Sequence, residues 1–138
     1  MVKKILVPSL VFSIVYAFGS ALADPELNPG KWEMTTETEM VGMPVQIPPV
    51  THTQCLTSDD LVPRSNETGK ECEVSDVKIS GNTVSWKMVC SGENGPMEGT
   101  GQATYRGDHM EGVMNMVISG AGMQITNKIS GRRIGDCD

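Results

Sequence analysis

Methionine dominates the side chains that could do chemistry. The chain of 138 residues holds 10 Met, 4 Cys and 2 His, against 2 Trp, 2 Tyr and 2 Phe. Thioethers are soft ligands suited to Cu(I), and His109, Met110, Met114 and Met116 form the densest candidate set. Strand alternation sends His109 and Met110 to opposite faces, which works against that site. Methionine also fills irregular cores where aromatics are scarce. A second candidate is an apolar pocket. The inward parity of residues 97–105 reads Met97, Gly99, Gly101, Ala103, Tyr105, so two glycines leave room beside a methionine wall. Met34, Met88, Met114 and Met116 complete that wall, and the expected ligand is small and lipophilic. Close packing or a bend is the other use of strand glycine. A third candidate is Arg132-Arg133, whose forked donors suit an anion or a partner's carboxylates. Pairing with Asp136 or with strand acids would occupy them instead.

Catalysis has little to work with. His52 and His109 are far apart in sequence, and there is no G-x-S-x-G elbow, H-E-x-x-H, P-loop or dinucleotide fingerprint. The carboxylate pairs Glu37/Glu39 and Asp59-Asp60 fall on polar faces or loops. A non-enzyme without a cofactor is expected. The net charge of −6 excludes a generically basic nucleic-acid binder.

The first 23 residues read as an export signal. Lys3 and Lys4 precede an apolar run from Ile5 to Phe18, and Ala21-Leu22-Ala23 is a small-x-small cleavage site. The run is too short to span a bilayer, which needs roughly 20 apolar residues. Residues 24–138 then form one mature domain of net charge −8, periplasmic or secreted, with no later membrane span. Trp32, Trp86 and Tyr105 are its only aromatics, against nine Met.

Four cysteines remain, at 55, 72, 90 and 137. An even count in a short exported chain reads as two disulfides. The spacings of 17, 18 and 47 fit neither zinc pairs nor a C-x-x-C redox site.

Positioning these residues falls to strands. Residues 31–40 alternate, with Trp32, Met34, Thr36, Thr38 and Met40 on one face. Val41 to Pro49 is a proline-rich loop, Val50 to Leu56 a second strand, and Ser58 caps a short helical turn that Pro63 ends. Residues 64–71 form an exposed loop. Residues 72–80 and 83–91 make a hairpin about Gly81-Asn82, a type II′ signal. Pairing Ser80 with Thr83 sets Ile79 opposite Val84 and Val77 opposite Trp86. One bulge near Ser75-Asp76 then brings Val74 opposite Met88 and Cys72 opposite Cys90. That register predicts Cys72–Cys90, and by elimination Cys55–Cys137. Strands at 97–106, 109–118 and 123–130 follow through glycine turns. The expected fold is all-β: an antiparallel meander of about seven strands, as a strongly curved sheet or an up-and-down barrel-like fold, with a β-sandwich as alternative.

Asn28–Glu33, Gln54–Thr57, Val84–Cys90, Gly99–Gly101 with Tyr105–Asp108, and Ser130–Cys137 resemble a family of small exported bacterial proteins, domain of unknown function 3617. Lys31 departs from the apolar residue more usual there. The resemblance spans nearly the whole mature chain and implies an exported β-rich protein. It carries over no catalytic or binding residue. The expectation is a non-enzymatic envelope protein that binds a small apolar ligand or a partner protein. The alternatives are a Cu(I)-handling protein and a purely structural envelope protein.

Overall fold

A computed structural model describes residues 24–63, 71–93 and 95–138. The expected signal (1–23) and most of the expected loop at 64–71 lie outside the described residues. Among the described residues eight strands are formed: β1 (Glu26–Leu27), β2 (Gly30–Met40), β3 (Val50–Leu56), β4 (Cys72–Ser80), β5 (Thr83–Cys90), β6 (Met97–Gly107), β7 (His109–Ile118) and β8 (Met123–Gly135). Among the described residues no helix is long and apolar enough to cross a membrane.

The strands make one sheet in the order β3-β2-β8-β7-β6-β5-β4, and every neighbour in that order is antiparallel. β1 adds a short parallel pair, Glu26 with Arg106 and Leu27 with Gly107. β4 to β8 run as the expected meander. The β2–β3 hairpin joins it on the far side of β8, so the first long strand pairs with the last. The sheet is not closed: β3 and β4 are its two edges.

The β4–β5 hairpin has the expected register. Gly81 takes a φ of +59° while Asn82 keeps a negative one, as a type II′ turn requires. Ser80 pairs with Thr83 and Ile79 with Val84. The ladder then shifts between Ser75 and Lys78, so that Val74 meets Met88 and Cys72 meets Cys90. Asp76 sits in this bulge at φ 51°, in the left-handed region that a short polar side chain tolerates best. Cys72–Cys90 and Cys55–Cys137 are both disulfide-bonded. The second ties β3 to the tail beyond β8.

Three local expectations are corrected. β8 continues to Gly135 rather than stopping near Ser130, because Gly131 lies between two core methionines instead of ending a strand. A Cβ there would stand 2.7 Å from Met34 Sδ and 2.8 Å from Met110 Cγ. Secondly, the segment after β3 is a turn, not a capped helix. Asp60 Oδ2 accepts hydrogen bonds from the Thr57 amide and hydroxyl, both at 2.9 Å, and the Asp60 amide donates to the Thr57 carbonyl. Thirdly, β1 is an eighth strand, too short for alternation to reveal.

One face of the sheet is the core. Among the described residues Trp32, Tyr105, Met34, Met110, Val84 and Cys90 are its largest fully buried side chains, and none that is buried is polar or charged apart from the tyrosine and indole groups. Leu61 and Val62 pack against the same face from the segment after β3.

Candidate functional site

The eight pocket candidates do gather on the inner face. Met34, Met88, Met97, Tyr105 and Met114 are buried there, and Met116 is half-buried. The room that Gly101 leaves, however, is filled. Gly101 pairs with Trp86, and the indole lies flat where a side chain of residue 101 would be. Gly99 is filled in the same way by Met116, whose Cγ would be 3.1 Å from a Cβ at that position. The glycines therefore admit neighbouring side chains rather than a ligand, the close-packing use of strand glycine. Two depressions open elsewhere, on the outer face. One, of about 280 Å³, lies among Lys78, Lys87, Thr100, Gln102 and Asn115. The other, of about 190 Å³, borders the Cys55–Cys137 disulfide.

The copper set does not converge. His109 is exposed on the outer face, opposite Arg132, while Met110 is buried on the inner face. Met114 follows Met110 by four residues along one strand, roughly 13 Å at strand rise. Nor is the basic pair free. Arg132 binds Glu33 through Nε at 3.0 Å and Nη2 at 2.8 Å. Arg133 donates to the Pro29 carbonyl at 2.9 Å and to the Asp136 carboxylate. Both arginines brace the joint between β2 and β8.

Among the described residues Tyr105 has the most perturbed ionisation. Its hydroxyl donates to the Leu61 carbonyl at 2.6 Å, which pins the segment after β3 across the inner face. Burial, with the nearby Asp60 carboxylate, pushes its pKa up to about 12. On the outer face Lys128 bonds Glu39 at 2.8 Å, and that bond and charge hold its ammonium above the usual range. Trp32 Nε1 donates to the Asn28 carbonyl at 3.0 Å, whereas the buried Trp86 Nε1 meets no acceptor among the described residues.

The feature that alternation did not reveal is at the β4 edge. Val74, Val77 and Ile79 have the inward parity; Val74 pairs with the buried Met88 and Ile79 with the buried Val84, while Val77 lies in the bulged stretch between the paired residues Ser75 and Lys78. Yet Val74 is 42 % exposed, Val77 50 % and Ile79 46 %. Alternation marks which residues share a face and says nothing about whether that face is covered. The other edge differs. β3 turns His52 and Gln54 toward Met34 and Trp32, so a polar pair occupies the equivalent inner positions. The middle of the β3 edge is polar, between an exposed Val50 and a buried Leu56, whereas the β4 edge presents an apolar row with no further strand beside it among the described residues.

No curated protein and no solved structure matches the chain. The model of a protein family of unknown function, DUF3617, matches residues 27–137, from the end of β1 to the last disulfide cysteine. The chain belongs to the family of domain of unknown function 3617.

Proposed function

We propose that this is an exported, non-enzymatic protein that works by binding another protein chain along the β4 edge. The observation that carries the reading is the row Val74, Val77 and Ile79, exposed by 42–50 % on a strand that has no neighbour on its outer side among the described residues. An unpaired strand offers backbone donors and acceptors for strand addition, and alternate side chains give it apolar anchors. Two disulfides fit an oxidising compartment, and the signal-like pattern of residues 1–23 agrees with export. A non-enzymatic role is favoured by His52 and His109 standing on opposite faces of the sheet.

A photo-reactive side chain at position 77, in the protein expressed in its own envelope, tests the reading. A protein adduct is expected at 77 and none at Val113 on the outer face. Absence of an adduct at 77 would reject it. A small apolar ligand is the second reading. It is favoured by the half-buried Met40, Met116, Ile118, Met123 and Ile125 at the far end of the inner face. Native mass spectrometry of the purified protein would then show added mass.

A further inference from the structure

The bulge in β4 decides which strand can pair with it. Before the bulge the inner face is held by even-numbered residues, Cys72 and Val74. After it the inner face is held by odd-numbered ones, Val77 and Ile79. In an antiparallel pair, residues directly opposite each other share a face. For two copies of β4 related by a two-fold axis and paired over the whole strand, a single register satisfies that condition. It sets Ser75 of each copy opposite Asp76 of the other. A shift of one residue opposes inner to outer positions along the strand. A shift of two does so at the centre, where Val74 would meet Ser75 or Asp76 would meet Val77.

The permitted register is also chemically self-complementary. Val74 faces Val77 twice and Cys72 faces Ile79 twice, all on the inner side. Glu73 faces Lys78 twice on the outer side. Neither Glu73 nor Lys78 has an ion-pair partner among the described residues, while the neighbouring Asp76 is held by Lys87 at 3.3 Å. We propose that the partner of the β4 edge is a second copy of this chain, paired antiparallel through β4 so that the two sheets run on as one. This rests on the reading of β4 as a docking edge and specifies its occupant. The interface is isologous, as two-fold dimers require. It covers three exposed apolar side chains per copy and satisfies the free edge.

Charge exchange at the two opposed positions is the test, read by sedimentation equilibrium on the purified, disulfide-bonded protein. The wild type is expected to dimerise. Glu73→Lys alone and Lys78→Glu alone each oppose like charges twice, and should weaken the dimer about tenfold or more. The double variant E73K/K78E restores the opposed charges and should regain most of the affinity. An equimolar mixture of the two single variants should form a heterodimer, which misfolded proteins would not do. A wild type that stays monomeric up to its solubility limit would overturn the proposal. So would a dimer indifferent to both single exchanges. If the wild type is monomeric but position 77 still gives adducts with a different protein, self-pairing fails and the docking edge stands. If neither occurs, both fail.

Discussion

A Cβ at Gly101 would lie 2.3 Å from ring carbons Cε2 and Cζ2 of Trp86, so the indole occupies the volume that any larger residue at 101 would need. Trp86 is 3 % exposed and has Gly101 as its direct cross-strand partner. Gly101→Ala should therefore lose about 2–3 kcal/mol, read as a lower urea midpoint, because an aromatic ring in a packed core cannot bend aside. Gly131→Ala makes a comparable clash with Met34 and Met110, but thioether chains re-rotate, and about half that loss is expected. Equal losses at the two sites would refute this account of the glycines. Trp86→Leu should partly rescue Gly101→Ala, appearing as positive coupling in a double-mutant cycle.

The two tryptophans should respond differently to Phe. Trp32 is fully buried and donates to Asn28, whereas the Trp86 indole nitrogen has no acceptor among the described residues. Both changes lose apolar area. Only Trp32→Phe also loses a hydrogen bond, a partly buried one, so it should be about 1 kcal/mol more destabilising than Trp86→Phe. Chemical denaturation of both variants at one pH checks the difference.

Tyr105 gives the fold an alkaline limit. Its pKa rises to about 12 on folding, from 10.0 when unperturbed. The folded state therefore holds the phenolic proton more tightly than the unfolded chain. Its contribution is complete below pH 10 and is lost progressively as pH rises from 10 to about 12. The loss should amount to about 2–3 kcal/mol, seen as a falling urea midpoint over that window. Tyr105→Phe should flatten that slope while lowering stability near neutrality by about 1 kcal/mol for the lost bond to Leu61. A slope unchanged in the Phe variant would assign the alkaline transition to another group.

The disulfides should differ in weight. Cys55–Cys137 closes a loop with a sequence separation of 82, and Cys72–Cys90 one of 18. Chain-entropy estimates are about 4.5 and about 3 kcal/mol. Replacing Cys55 and Cys137 by Ser should lower the thermal midpoint more than replacing Cys72 and Cys90. The opposite order would mean that the hairpin bridge, beside the buried core, matters through packing rather than loop closure.

Much of the fold is legible in the chain because it is local. β3, β4 and β7 have the expected bounds, since apolar alternation and glycine turns act over a few residues. The Cys72–Cys90 pairing follows from counting out from Gly81-Asn82 and requiring Val74 and Met88 to share a face. Both disulfides are therefore legible in the sequence. The candidate site was less so. The inward parity of Gly99 and Gly101 is correct, but parity alone does not say which neighbour fills the room, and Trp86 fills it from the adjacent strand.

By itself, the sequence determined an all-β chain, the register of the β4–β5 hairpin, both disulfide pairs and the methionine-rich character of the inner face. Tertiary structure alone decided that β2 closes onto β8, that Leu61 caps Tyr105, and that the sheet stays open between β3 and β4. The physical reason is one of range. Turns and alternation are set by neighbours along the chain, whereas the covering of a face depends on which distant strand arrives beside it. Among the described residues no strand arrives beside β4, so Val74, Val77 and Ile79, core-like in their spacing, stand at an edge.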